Sequence, residues 1–454
     1  MKHRSKTMKN VISVILVAAA LMGIISCGSD KETVREINPD NPKLYSAAAL
    51  EEDFRQFRRI MEEKTAGLYT DRAELTRLLD EAETSIQKKS MAELEFYRLL
   101  APIVAELRCG HSFLSVSESM EAYMRDHALF FPLEVRIFDN SLFVIDDPHG
   151  TGVTPGSEIV RINGTSAGEV ISIIRANMVT DGYDRGRPRY DTERWFAAMY
   201  YSFIDTADEF ELVVQSPDGE GSTEVSVPAV RDSSLAKTTK GVMHDTKDSP
   251  YSVSIENGYA LMTVSTFNYS KPKQFKAFLE DSFTELAEKE VDTLILDLRG
   301  NYGGTPVPTV ELFAYLIEGP VPFFAKDNPF YLNKWKKPVE PAPQAFNGRL
   351  YVLMDEAGFS MNSFLLSLLE YHRIGTLIGT PSSGGYMCSD ASREKTLKNT
   401  GLRLRYSTQA FKTAVEGQKA GIGIEPDIFV EWSLEDYLSG NDPVLAAAVE
   451  ASAS

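Results

Sequence analysis

Cysteine is scarce: the 454-residue chain has three, Cys27, Cys109 and Cys388. Three cysteines over this length make no disulfide framework. There is no CxxC and no HExxH, so no metal site is announced and no cofactor is expected. Histidine is also sparse. The six are His3, His111, His127, His149, His244 and His372, which leaves few candidates for a base that titrates near neutral pH. No run of Lys or Arg occurs and the net charge is −18, which argues against a nucleic acid or an anionic membrane surface as a partner of the folded part. No internal repeat is found.

What is present is globular in character: 43% hydrophobic and 25% charged residues, enough chain for two or three domains. The first residues stand apart. MKHRSKTMKN carries Lys2, His3, Arg4, Lys6 and Lys9 with no acid, and the apolar stretch VISVILVAAALMGII follows. That is a charged segment and a short hydrophobic core, too short for a confident membrane span. Ile24-Ile25-Ser26-Cys27 then resembles a bacterial lipobox. Residues 1–26 are expected to be a lipoprotein signal peptide, with Cys27 lipidated and the protein anchored in the bacterial cell envelope, facing the periplasm or the cell surface. An ordinary cleaved signal or an N-terminal membrane anchor are the alternatives. Residues 27–43, polar and holding Pro39 and Pro42, read as a tether.

Beyond the tether, the periodicity changes twice. AALEEDFRQFRRIMEEK, ELTRLLDEAETSIQ and MAELEFYRLLAPIVAEL repeat apolar residues at three and four, predicting an N-terminal helical module over 44–128. FPLEVRIF and SLFVI alternate like strands about a turn signal at Asp139-Asn140. The segment GSEIVRING resembles part of a PDZ domain, so 129–231 is expected to be PDZ-like and β-rich, although its Asp181–Phe203 stretch is longer and more aromatic than a minimal PDZ domain holds. After a polar linker, strand-like and helical patterns alternate over 250–454. This predicts a largely parallel sheet covered by helices.

Three stretches could carry chemistry. In DLRGNYGGTP an apolar strand runs into a loop with Gly300, Gly303 and Gly304, where backbone N–H groups can be aimed at a ligand. A plain glycine-rich turn would look the same. In EAGFSMNSFLLSLLE, Ser360, Ser363 and Ser367 lie on one face of a predicted helix, and Ser360 stands where that helix begins after the buried strand LYVLM. A serine there suits a nucleophile, and equally suits an N-cap. His111, in CGHSFL, lies beside a glycine at an element boundary, where it could act as a base or cap the preceding helix.

Taken in order, RCGHSFL, GSEIVRING, LILDLRGNYGG, VLMDEAGFSMNS, LIGTPSSGG and GIGIEPD resemble the tail-specific, or carboxyl-terminal processing, family of serine peptidases. The tricorn-like branch is the nearest in pattern. The resemblance implies an α/β fold with a Clp-protease/crotonase-like catalytic core, the helical module and a PDZ-like β-rich domain. It implies Ser360 as nucleophile and an oxyanion hole from Met361 N–H with Gly303 or Gly304. One branch places a Lys where this chain has Gly385, so the base is expected to be His111, oriented by Glu416 or, second, Glu425. Ser363 takes a position that is often Glu in the family. The expected activity is peptide-bond hydrolysis on peptides or unfolded protein. The alternatives are a non-catalytic lipoprotein binding a peptide or an apolar ligand on the same fold, and a crotonase-like acyl hydrolase.

Overall fold

The computed structural model describes residues 42–453, except 220, 237–249, 257 and 270. The expected signal peptide, Cys27 and nearly all of the tether lie outside the described residues, as does most of the linker before 250. Among the described residues, no helix is long and apolar enough to cross a membrane.

The three N-terminal helices form as the spacing predicts, over Ala47–Glu63, Arg72–Ile86 and Glu93–Ala105. In the first, Phe54, Phe57, Ile60 and Met61 all point inward. Asp71 starts the second by accepting from the N–H groups of Ala73 and Glu74. A β-rich part follows. Its sheet runs Glu134–Phe138, Ser141–Asp146, Glu158–Ile162, Glu209–Gln215 and Ser222–Pro228, all antiparallel. Asp139 and Asn140 make its first turn with φ of 47° and 71°, the signs a tight two-residue hairpin requires.

These two parts do not fill separate cores. Their buried apolar residues form one continuous cluster, which also takes Leu397, Leu402, Leu404 and Tyr406 from the C-terminal half. The mixing has a structural cause. The strand Phe113–Ser115 pairs with Arg403–Tyr406, which pairs with Arg393–Thr396, in a small sheet of its own.

The C-terminal half is built on a six-stranded sheet. Its order is Tyr251–Ile255, Ala260–Val264, Thr293–Asp297, Arg349–Met354, Thr376–Gly379, Ile428–Phe429. The first pair is antiparallel and the others parallel. The central strands are buried along nearly their whole length, as a sheet covered on both faces demands. The helices Pro272–Glu288, Pro306–Ala314 and Met361–His372 contribute to a second apolar cluster over it. Loops at the carboxyl ends of these strands are therefore the place to look for chemistry.

Candidate active site

The strand Arg349–Met354 turns sharply into the helix Met361–His372 through residues 355–360. At the turn's end, Ser360 has φ 56° and ψ −124°. Residues with a Cβ avoid this region, and holding one there costs about 1–3 kcal/mol. Ser360 occupies the N-cap position but makes no capping hydrogen bond. Its Oγ instead lies 3.0 Å from His111 Nε2. The other two serines serve the helix. Ser363 Oγ donates to the Ser360 carbonyl, and Ser367 Oγ donates to the Phe364 carbonyl and meets Thr413 Oγ1 at 3.0 Å.

The glycine loop closes on this turn. A Cβ on Gly303 would stand 2.5 Å from the Phe359 carbonyl and 2.8 Å from Met361 N, so only glycine lets the two segments come so near. The Gly303 N–H is already committed, donating to Asn301 Oδ1 at 2.8 Å. Asn301 is fully buried, and its Nδ2 donates to the Val264 carbonyl, fastening the loop to the neighbouring strand. Gly304 differs. Phe267 N donates to the Gly303 carbonyl and Thr305 N donates to the Phe267 carbonyl, so the extended residue between them turns its own N–H away from Phe267. The N–H groups of Gly304 and of Met361, at the start of the helix, have no partner among the described residues. Of the three expected oxyanion donors, Gly304 and Met361 are thus free to bind an anion and Gly303 is not.

His111 is 6% exposed. Burial lowers its pKa below the ordinary imidazole value. Asp390 opposes that, and Arg405 and Arg187 add to it. The net effect favours the neutral ring, the form a base needs. Its Nδ1 is buried without a hydrogen-bond partner at normal geometry, while the Ser389 backbone lies close enough to favour the protonated ring.

Neither expected orienting carboxylate reaches the ring. Glu416 is exposed and makes no hydrogen bond or ion pair with His111. The reason lies two residues on, where Gln418 binds the Ser367 carbonyl and the Glu370 carboxylate. That anchors the segment about 10 Å along the helix from Ser360, at 1.5 Å per residue. Glu425 is exposed as well. The carboxylate beside His111 is Asp390, with Oδ2 3.8 Å from Nε2. Partial burial pushes the Asp390 carboxyl up, but His111, Ser392 and Arg405 outweigh it and hold it below the usual range. Asp390 faces the same nitrogen as Ser360, so it can stabilise an imidazolium but does not hold the far side of the ring. The missing Lys also has a physical reason. A Cβ on Gly385 would stand 2.3 Å from the Ile422 carbonyl, leaving no room for any side chain.

Sequence reasoning did not find Asp390, Asn301 or the residues Arg187, Asp191 and Tyr302 described below. Asn301 could have been read from its place in LRGNYGG. Asp390, in MCSD, carries no local signal.

A serine held in a strained turn at a helix start, with a buried neutral imidazole on its Oγ and free backbone N–H groups beside it, is the arrangement of a serine hydrolase. Residues 258–430 match peptidase family S41. Mature CPAF has the same overall fold, with a TM-score of 0.65 at 13% identity, covering 89% of this chain and 96% of CPAF. Mature CPAF complexed with lactacystin gives the same TM-score and identity over 89% and 98%. No curated protein sequence matches the chain. The match covers most of the C-terminal half's sheet and its loops, and it supports a serine-type peptidase by class. The matched segment contains Ser360 and the glycine loop, while His111 comes from outside it.

Proposed function

We propose that Ser360 is the nucleophile and His111 the general base of a peptidase acting on peptides or unfolded protein ends. The single observation that carries this is the 3.0 Å contact between Ser360 Oγ and His111 Nε2, made by a serine that gives up a cap to form it. Nε2 takes the Oγ proton as Oγ attacks the scissile carbonyl carbon. The developing oxyanion is met by the N–H groups of Met361 and Gly304, near the positive end of the helix Met361–His372. The imidazolium, facing the Asp390 carboxylate, then protonates the leaving amine. Water, deprotonated by the same nitrogen, releases the acyl group from Ser360 and restores the starting state.

The PDZ-like character of 129–231 is a further part of this proposal, as is a lipid anchor at Cys27 in the cell envelope. Both rest on the sequence segments quoted above. The unpartnered Nδ1 of His111 favours a second reading, a binding protein that has kept the fold without turnover. Hydrolysis of a fluorogenic peptide library separates the two. Ser360→Ala and His111→Ala each lose activity by about a thousandfold or more, as removal of a nucleophile or its base does elsewhere. Equal turnover by folded Ser360→Ala contradicts the peptidase reading.

A further inference from the structure

Helix Gly186–Arg194 belongs to the long segment that sets the β-rich part apart from a minimal PDZ domain, and its Arg187 packs on Phe359, next to Ser360. Asp184 starts it by accepting from the N–H groups of Gly186 and Arg187. Arg187 is 1% exposed. Its guanidinium lies 4.4 Å from the centre of the Phe359 ring, the residue before Ser360. The same Phe359 ring meets the His111 ring at 4.5 Å. Gly110, beside His111, leaves the space Arg187 needs, since a Cβ there would stand 2.5 Å from Arg187 Nη1. One helical turn on, Asp191 takes two bonds in opposite directions. Oδ2 accepts from Arg187 Nε at 3.2 Å, and Oδ1 accepts from the hydroxyl of Tyr302 at 2.6 Å. Tyr302 is the residue before Gly303.

One buried network thus touches the base, the turn that carries the nucleophile and the glycine loop. We propose that Arg187, Asp191 and Tyr302 are positioning residues through which this inserted helix holds His111, Ser360 and the Gly303-Gly304 loop in register, so that the β-rich part is a component of the catalytic machinery and not only an appended binding module. The need for such a device follows from the fold. The segments carrying His111 and Ser360 are rooted in different apolar clusters, and hydrophobic packing alone is not directional enough to fix a hydrogen bond between them. A charged pair with planar Arg geometry is. Asp191 also receives the Tyr302 bond where a carboxylate acceptor makes it strong.

The inference rests on the peptidase reading of Ser360 and His111, so the test has two tiers. Wild-type protein is first reacted with a fluorophosphonate, and absence of labelling at Ser360 would defeat that reading, not the network. With labelling established, Tyr302→Phe removes one hydroxyl and leaves the Arg187–Asp191 pair. It is expected to lower kcat by about tenfold with KM within about twofold, the pattern of a lost transition-state interaction. Arg187→Met and Arg187→Lys supply a second readout. The charged groups facing His111 are Asp390, Arg405 and Arg187. Losing the Arg187 charge moves the acid limb of kcat/KM to higher pH, and Lys moves it back. Far-UV circular dichroism and thermal unfolding identify variants that stay folded. A Tyr302→Phe enzyme with wild-type kcat, or Arg187 variants whose loss of activity comes with no movement of the pH profile, would overturn the inference.

Discussion

Ser360 Oγ and His111 Nε2 lie 3.0 Å apart although their neighbours in sequence are buried in two different clusters, Cys109 and Phe113 in one and Met361 and Phe364 in the other. This contact therefore crosses a seam in the molecule. Its strength depends on the backbone at Ser360, on the charges around His111 and on the turn before the helix, and each can be altered separately.

The backbone comes first. At φ 56° and ψ −124°, Ser360 stores strain that a glycine would relieve. Ser360→Gly and Ser360→Ala both remove the hydroxyl proposed as nucleophile. Ser360→Gly is expected to be the more stable by about 1 kcal/mol, although glycine normally weakens a fold through the unfolded chain. Urea unfolding of the two variants checks this. An alanine variant more stable than the glycine variant would mean the turn is not strained.

The charge beside His111 is next. Asp390 raises the His111 pKa against burial, so removing its charge lets that pKa fall further. In Asp390→Asn the acid limb of kcat/KM moves to lower pH. On the plateau the rate also drops, because a less basic imidazole is a weaker general base. An acid limb that stays in place would show that Asp390 does not face the titrating ring in the working enzyme.

A third prediction concerns stability. The Asp355 carboxyl accepts from the N–H groups of Gly300 and Ala357, so it joins the glycine loop to the turn that leads to Ser360. Burial, then the neighbouring Glu356, raises its pKa from 3.8 to about 7. A carboxyl raised in the folded state binds its proton more tightly there than in the unfolded chain. Its contribution is fully present below pH 3.8 and is lost as pH rises through about 7. Glu193 and Asp181, each pushed up to about 7 chiefly by burial, act in the same sense. Asp355→Asn cannot titrate, so its Tm changes less between pH 4 and about 7 than that of the wild type. Parallel Tm curves for the two would contradict the linkage.

Much of this site could be read in the sequence where short-range pattern and function coincide. The strand at Thr293–Asp297 and the loop to Gly304 announce themselves, because a buried strand must be apolar and a tight loop needs glycine. Local pattern could not choose between cap and nucleophile for Ser360, since both need a serine before a helix. Only the backbone angles and the direction of Oγ distinguish them. The sequence points to Glu416, which does not reach His111, because the register of a loop depends on distant anchors, here Gln418 on the helix Met361–His372. Asp390 reaches His111 through the pairing of Met387–Asp390 with Gln409–Lys412, a contact that nothing local encodes. The shared core of the helical and β-rich parts was missed for the same reason. It is closed by Leu402 and Leu404, and Leu404 pairs with Leu114, which is remote in sequence.

The central claim is that Ser360 is activated by His111. It is tested most directly by intact-protein mass spectrometry after reaction with a fluorophosphonate, with peptide mapping of the adduct. The account predicts one adduct per chain, on Ser360, formed at least about a hundredfold more slowly in folded His111→Ala because the base is gone. Stoichiometric labelling of Ser360 at the same rate in His111→Ala, or no labelling of the wild type at all, would contradict it.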